Sequence, residues 1–278
     1  MTQYIDQLGY SIKLTKVPQR IVSLVPSQTE LLFDLKLGDK IIGITQFCVH
    51  PKEKLENLPR IGGNKRFLFD KIAKLQPDLI IGNKEVNYLE GIETLRQNYP
   101  VWLSEVKTLE DMYQLISELA DMFACSDEGQ CIIQKIQAEF TKLPQVQSPI
   151  SAAYFVWRKP WMVAANNTFI DHMLTRAGFH NAFSHFSDYP KITFEQLETA
   201  QPQVILLTSE PFPFKEKHIE ELKSVSPKSD ILSVDGQLFS WFGSRIQYAP
   251  RYFQNLRSIL LGNLGFSIDD YQLSKKMC

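Results

Sequence analysis

Twelve residues near the end of the chain, FSWFGSRIQYAP at 239–250, combine several aromatic rings with a single cation. Trp241 and Phe242 precede a Gly-Ser pair, and Arg245 follows it. Aromatic faces pack well against large flat ligands, and an arginine fork binds carboxylates or phosphates through two hydrogen bonds. We therefore expect Trp241, Phe242 and Arg245 to form one wall of a small-molecule site.

A second cluster of aromatic and basic residues lies at the end of a predicted strand, in VWRKPWMV at 156–163. Its members are Trp157, Arg158 and Trp161. Alone, such a cluster fits a solvated rim as well as a ligand site, because charged residues are seldom fully buried without partners. Two clusters at strand ends favour a ligand cleft, since open α/β sheets bind ligands at the carboxyl ends of their strands.

A phenylalanine and a histidine follow another predicted strand, in QFCVHP at 46–51. A metal site needs three or four converging ligands, and Cys48 is the one other candidate close to His50 in the sequence. We expect Phe47 and His50 to line a pocket, and we predict no metal ligand from the protein.

Signatures of several enzyme classes are absent from the sequence: a GxGxxG behind a strand, a P-loop, a GxSxG elbow and an HExxH helix. These patterns belong to dinucleotide-dependent enzymes, nucleoside triphosphatases, serine hydrolases and zinc proteases. The nearest glycine-rich stretch, IGGN at 61–64, has the wrong spacing. The sequence therefore gives no positive sign of catalysis, and we expect neither an enzyme nor a required cofactor.

The composition of the 278-residue chain is that of a globular protein large enough for two lobes. Its net charge of -1 gives no basic excess for nucleic acid. No apolar run approaches the roughly 18–20 residues that span a bilayer, and the first residues carry no apolar leader or lipoprotein cysteine. The sequence as written predicts a cytoplasmic protein that does not span a membrane, or a periplasmic one if a leader has been removed.

Strands alternate with helices along most of the chain, which is typical of parallel α/β sheets. The alternation predicts an N-terminal α/β lobe at 17–107 and a C-terminal α/β lobe at 147–265. Between them, 108–146 shows a helical period of apolar residues, and Ser126-Asp127 marks a place for a kink or a new cap. We interpret 108–146 as a bridging helix.

The first predicted helix has sequence signals at both ends. Ser27 and Glu30 have the spacing of a capping box, in which each side chain bonds a backbone N–H of the first turn. Gly38 has the position of a glycine just beyond the helix end.

An internal repeat links the two predicted lobes: FDKIAKLQPDLII at 69–81 matches FEQLETAQPQVIL at 194–206. Each copy predicts a short helix, a proline stop and a buried strand, so the lobes should be alike. Asp70 and Glu195 hold equivalent places in the first helical turn. The helix dipole alone favours acids there, and two symmetric carboxylates also offer docking points to a partner with two matching cations.

Three stretches together resemble a known family: PQRIVSLVPSQTELLFDL, IIGITQFCVHP and KIAKLQPDLIIG. They are similar to the cobalamin- and ferric-siderophore-binding proteins of ABC importers, the helical-backbone metal receptors of class III. The resemblance extends from about Val17 to Leu261. It implies two Rossmann-like lobes with parallel sheets, bridged by one long backbone helix, and a metal chelate held in the inter-lobe cleft.

The same resemblance implies roles for the candidate residues. Phe47, His50, Trp157, Arg158 and the WFGSR segment fall where family members line the ligand site, and the cobalamin binders need no protein metal ligand. Asp70 and Glu195 match the acids that contact arginines of the membrane permease.

The predicted function is capture of a metal chelate by a solute-binding protein for an ABC importer, with a corrinoid ahead of a ferric siderophore or haem. Three alternatives remain open. One is a cytoplasmic chelate carrier or sensor, and another is direct binding of Zn²⁺ or Mn²⁺ by converging ligands. The third is an enzyme acting on a corrinoid-like substrate in the same cleft, with His50 or Cys48 as its candidate groups.

Overall fold

The computed structural model describes residues 2–262, so the predicted lobe end at 265 lies outside the described residues. These residues form two compact units. Unit 1 comprises the chain up to Ile136 together with Phe242–Arg245, and unit 2 comprises the remaining described residues. Among residues 2–262, no helix combines the length and the apolar character needed to cross a membrane.

Strands and helices alternate as predicted. The strands are β1 (Thr2–Ile5), β2 (Ser11–Leu14), β3 (Ile21–Ser23), β4 (Ile41–Ile44), β5 (Gly62–Gly63), β6 (Arg66–Phe67), β7 (Leu79–Asn83), β8 (Val101–Ser104), β9 (Ile150–Trp157), β10 (Met162–Val163), β11 (Phe179–Asn181), β12 (Val204–Thr208) and β13 (Asp230–Val234). The α-helices are α1 (Pro26–Asp34), α2 (Phe69–Leu75), α3 (Leu89–Arg96), α4 (Leu109–Met122), α5 (Ser126–Phe140), α6 (Phe169–Arg176), α7 (Phe194–Ala200), α8 (Glu216–Val225), α9 (Gln237–Ser240) and α10 (Ala249–Leu260). Short 3-10 helices lie at Gly38–Lys40, Lys52–Lys54 and Ser244–Tyr248.

The main sheet of unit 1 is parallel, in the strand order β4-β3-β7-β8. Its strands are short apolar runs rich in isoleucine and valine, and nearly all their residues are buried. Strands buried on both faces need this composition, because they have no polar side to show to water. All four carboxyl ends therefore meet at one edge, where Phe47 and His50 follow β4.

The main sheet of unit 2 has the order β10-β9-β12-β13, and β11 also pairs with β9. Strands β9, β12 and β13 are parallel to one another, whereas β10 folds back antiparallel on the end of β9. The tight turn from β9 to β10 contains Arg158 and Lys159. Trp157 is the last residue of β9, so it lies at the carboxyl edge of this sheet.

The predicted bridging helix at 108–146 consists of two helices, α4 and α5, separated by three residues. After α4, the Ala124 N–H bonds the Asp121 carbonyl at 3.1 Å, and the Cys125 N–H bonds the Ala120 carbonyl at 2.8 Å. Ala124 adopts a left-handed φ of 53°. This pair of bonds is a Schellman motif, which satisfies the last carbonyls of a helix and ends it.

The first helix, α1, ends in the same way, and its predicted caps were wrong. Lys36, with a φ of 62°, takes the left-handed position that we assigned to Gly38. At its start Pro26 is the first helical residue, and the N-cap Val25 supplies no side-chain bond. Proline suits this position because its missing N–H would have no helical partner there. Glu30 is therefore free for a different contact.

An N-terminal hairpin of β1 and β2 belongs to unit 1, and the Gln7 N–H after β1 bonds the Leu103 carbonyl of β8 at 3.1 Å. The buried Asp6 carboxylate accepts hydrogen bonds from the backbone N–H groups of Leu8 and Tyr10 at 2.9 and 2.8 Å. It also accepts one from Arg96 at 3.1 Å, and the same guanidinium lies 3.5 Å from the centre of the Tyr10 ring. A buried carboxylate needs such partners to be tolerated.

Candidate functional site

The loop after β4 carries Phe47 and His50 at the carboxyl edge of the unit 1 sheet. Arg60 fixes this loop by donating to two of its carbonyl oxygens at 3.0 and 2.9 Å. The Phe47 side chain is 50% exposed, and a Cβ on Gly63 would come within 3.1 Å of its ring. His50 is half-buried three residues further on. The loop therefore offers an aromatic ring on a well-anchored backbone.

Cys48, between those two residues, is buried under the loop. Its thiol lies 3.1 Å from the Thr29 hydroxyl and 3.4 Å from the Thr45 hydroxyl. Burial raises the pKa of the Cys48 thiol above its usual value of 9.0. Because the thiolate is the form that attacks substrates and binds metals, this side chain is suited to packing rather than to chemistry.

Arg245 is held by an acidic partner within unit 1. Its guanidinium donates two hydrogen bonds to the Glu30 carboxylate, from Nε at 2.7 Å and from an Nη atom at 2.6 Å. Both side chains are largely buried. Two parallel bonds between these ions are the strongest form of such a pair. Arg245 is therefore already neutralised by Glu30, the residue that we had assigned to a capping box.

The backbone beside Arg245 explains the glycine of the Gly-Ser pair in the sequence. Gly243 has a φ of 130°, and a Cβ there would lie 3.4 Å from the Cβ of Leu31 and 3.5 Å from the Ser27 carbonyl oxygen. Residues other than glycine rarely adopt this φ. Phe242, the residue before it, is buried in unit 1. The glycine thus lets the chain turn closely past α1.

Trp241 is buried in unit 2 at the end of α9. Its indole N–H donates to the Glu210 carboxylate, which follows β12 at the carboxyl edge of the sheet. A buried tryptophan needs such an acceptor for its N–H. The Trp241 ring therefore contributes mainly to packing. Glu210 is a further carboxylate at the carboxyl edge of this sheet, and the sequence did not predict it.

The cluster from VWRKPWMV stays together in unit 2, but its members differ in exposure. Trp157 is 40% exposed, and its ring contacts Phe212 in an edge-to-face arrangement with 5.4 Å between centroids. Trp161 is only 8% exposed and belongs to the apolar core of unit 2. Trp157 is thus the member whose ring can meet a ligand.

Arg158 lies over the Trp161 ring at 4.8 Å and forms a bidentate pair with Glu221 of α8. The two closest N–O distances are 2.7 and 2.9 Å. Unit 1 and unit 2 therefore each hold their candidate arginine in a carboxylate pair. Sequence reasoning missed both glutamates, because Glu30 is 215 and Glu221 is 63 residues away from its arginine.

Phe212 is the further aromatic residue that sequence reasoning missed. It lies in the loop EPFPF at 210–214, which connects β12 to α8 at the carboxyl edge. The available signal is the alternation of proline and phenylalanine in a loop beside a strand end, because loops on a rigid scaffold often carry binding residues.

Asp70 and Glu195 each lie in the first turn of a seven-residue helix, α2 and α7, and both are exposed. Hydrogen bonds from the Thr193 side chain and from its own backbone N–H hold the pKa of the Glu195 carboxyl below its usual 4.5. Both acids therefore present accessible carboxylates, one in each unit.

Residues 2–262 contain no group of three or more His, Cys, Asp or Glu side chains arranged to hold a metal ion. The candidate site residues are mainly aromatic and paired ionic groups, and such groups can recognise a chelate by its faces and fringe.

Comparison with known proteins identifies the family. A family model described as periplasmic binding protein matches residues 21–226. The vitamin B12-binding protein of Vibrio campbellii is 30% identical over 192 residues, which is 67% of this chain and 70% of the relative. The vitamin B12-binding protein of Vibrio cholerae (El Tor Inaba N16961) is 31% identical over 198 residues, or 69% and 71% of the two chains.

Solved structures agree on the fold. The periplasmic vitamin B12 binding protein BtuF of Vibrio cholerae aligns with a TM-score of 0.71 and 24% identity, over 85% of this chain and 95% of that one. The periplasmic heme-binding protein RhuT from Roseiflexus sp. RS-1 gives 0.71 and 23%, over 84% and 95%. A protein of the Fe3+-hydroxamate transport system of Saccharomonospora viridis gives 0.75 and 17%, over 91% and 98%.

These similarities confirm the predicted α/β fold with parallel sheets, and they confirm a binding protein rather than an enzyme. The matched range includes the loop after β4, the internal repeat and the strand end with Trp157. The chain belongs to the periplasmic binding protein family.

Proposed function

We propose that this protein captures a metal chelate in the periplasm and delivers it to the permease of an ABC importer, with a corrinoid preferred over haem or a ferric siderophore. Membership of the periplasmic binding protein family supports the capture role. The relatives named as vitamin B12-binding proteins, at about 30% identity over two thirds of the chain, support the corrinoid.

The pairing of both candidate arginines is the observation that carries the choice of ligand. Haem bears two ionised propionates, which a free guanidinium would bind in bidentate fashion. Here Arg158 is paired with Glu221 and Arg245 with Glu30. The fringe of a cobalamin consists largely of uncharged amides, which place no demand on these arginines. Exposed rings such as Phe47 and Trp157 suit the face of its macrocycle.

The docking role rests on Asp70 and Glu195. Each acid is exposed at the start of a helix, in the same position of a repeated helix-strand element. Exposed carboxylates attract basic side chains over distances of about 10 Å at moderate salt and so raise the rate of association. We assign them to arginines of the permease.

The chelate proposal is tested by titrating the protein with cyanocobalamin, hemin and a ferric hydroxamate. Binding is followed by tryptophan fluorescence and by the visible spectrum of each probe. We expect cyanocobalamin to bind with a Kd below about 1 μM and more tightly than hemin. The capture proposal fails if none of the three probes binds at micromolar concentration.

Glu221→Gln tests the ligand choice directly, because it removes the carboxylate from Arg158. The freed guanidinium should strengthen hemin binding by up to about fivefold, as expected for one partly exposed ion pair. Cyanocobalamin affinity should change by less than about twofold. Glu220→Gln is the matched control, since it makes the same change in charge at the preceding position of α8, where Glu220 is exposed. Equal effects of the two variants on hemin binding would contradict the argument.

A further inference from the structure

Two phenylalanines of one short loop have different surroundings. In the loop EPFPF, Phe214 packs against the core of unit 2 and stacks on Trp161, with 6.1 Å between centroids and 4° between planes. Phe212, two residues earlier, lies against the exposed Trp157 at 5.4 Å and 67°. Core packing therefore accounts for Phe214, whereas Phe212 lies between Phe214, at 4.8 Å between centroids, and the exposed Trp157.

The Trp157–Phe212 pair lies where two neighbouring parallel strands end. Trp157 is the last residue of β9, and Phe212 follows β12, which pairs with β9 in parallel register. The carboxyl edge of such a sheet is the place where ligands of open α/β folds bind. An exposed tryptophan at this edge is more informative than one elsewhere on the surface.

Neighbouring residues of unit 2 hold the Trp157–Phe212 pair in place. His218 is buried, lies 5.4 Å from Phe212, and accepts the Lys215 N–H on Nδ1 at 2.8 Å. Pro211 and Pro213 flank Phe212 and restrict the loop backbone. A side chain that is already ordered loses little conformational entropy when a ligand arrives. The two rings are thus preorganised.

We infer that Trp157 and Phe212 form an aromatic corner that contacts the flat face of a conjugated macrocycle, either a corrin or a porphyrin. This inference rests on the proposed function and adds Phe212 to its binding residues. The edge-to-face geometry offers one ring face and one ring edge, which suit offset or edge-on contact with a large π-system. A hydroxamate chelate presents no comparable face.

The test compares Phe212→Ala with Phe214→Ala in the full chain, with cyanocobalamin, hemin and a ferric hydroxamate as probes. Phe212→Ala should weaken binding of the better macrocycle by about 3- to 10-fold, the loss expected for one aromatic contact. Its Tm should stay close to that of the unmodified protein. Phe214→Ala should instead lower the Tm, because it removes a ring from the core of unit 2. Phe212→Leu keeps the apolar volume and carries the same comparison if Phe212→Ala does not fold.

Each outcome is decisive. A macrocycle that binds the unmodified protein and Phe212→Ala equally well overturns the corner and leaves the capture of a chelate intact. Binding of the ferric hydroxamate alone does the same. If none of the probes binds the unmodified protein, the proposed function fails and the aromatic corner fails with it.

Discussion

The two copies of the internal repeat have the same backbone conformation but differ at the first turns of their helices. Helices α2 and α7 have seven residues each, and each is followed by a glutamine, a proline, one further polar residue and a five-residue strand. Gln76 and Gln201 end the helices with left-handed φ values of 46° and 42°. Because this conformation is costly for residues other than glycine, both copies carry the same strained connection between helix and strand.

Even the polar contacts of the repeat are matched. Asp78 accepts hydrogen bonds from the backbone N–H groups of Gln19 and Arg20, just before β3. The equivalent Gln203 accepts one from the Ser151 N–H at the start of β9, at 2.9 Å. The Asp78 carboxylate and the Gln203 side-chain oxygen thus both accept hydrogen bonds from the start of the neighbouring strand and hold it in place.

The copies diverge at the starts of the helices. In unit 2, Thr193 caps α7 and forms a capping box with Gln196. In unit 1, the N-cap of α2 is Leu68, which has no side-chain bond. Phe69 is 38% exposed, whereas its counterpart Phe194 packs against the core of unit 2. Strands β7 and β12 are buried in both units, whereas the first turns of α2 and α7 differ in capping and exposure.

The largest expected effect comes from the shared, buried part of the repeat. Ile81 and Leu206 hold equivalent positions and are fully buried. Ile81→Ala and Leu206→Ala should each reduce the free energy of unfolding by about 2–5 kcal/mol, since each leaves a cavity in a parallel sheet. Urea unfolding followed by circular dichroism measures both. A loss below about 1 kcal/mol in either variant would show that the two strands are not equivalent cores.

A smaller effect is expected where the helices end. Gln76→Gly and Gln201→Gly should each raise the free energy of unfolding by about 0.5–1 kcal/mol, because glycine adopts the left-handed conformation without strain. Both glutamine side chains are exposed, so the backbone dominates the change. Ala73→Gly, inside α2, is the control and should destabilise by a similar amount. Thermal unfolding of the three variants checks these signs, and a loss of stability in both glutamine variants would contradict the strain argument.

Much of the fold is predictable from the sequence because it depends on local signals. Proline stops, buried apolar runs and the repeat placed β7, β12, α2 and α7 correctly. The left-handed helix ends at Lys36 and Ala124 were not predictable, since neither is the glycine that usually marks this conformation. The three-residue break between α4 and α5 follows from one of them.

The site was less predictable, because contacts over long sequence separations decide it. Residue type predicts that Trp161 and Trp241 line a ligand site, but it does not show that both rings are buried. Glu30 has the spacing of a capping box, yet its carboxylate pairs with Arg245. The local pattern predicts that the Glu30 side chain caps α1, whereas the structure shows it in a largely buried ion pair with Arg245.

The smallest expected effect concerns the electrostatics of the capped helix start in unit 2. The pKa of the Glu195 carboxyl lies below 4.5, chiefly because the Thr193 hydroxyl donates to it and then because its own backbone N–H does. A carboxyl with a lowered pKa in the folded state stabilises the protein fully above its unfolded pKa, and this stabilisation is lost as the pH falls through the folded value. Carbon-detected NMR titration should therefore place the Glu195 midpoint below 4.5, and Thr193→Ala should raise it. An unchanged midpoint in Thr193→Ala would assign the shift to the backbone N–H groups of the helix start rather than to the Thr193 hydroxyl.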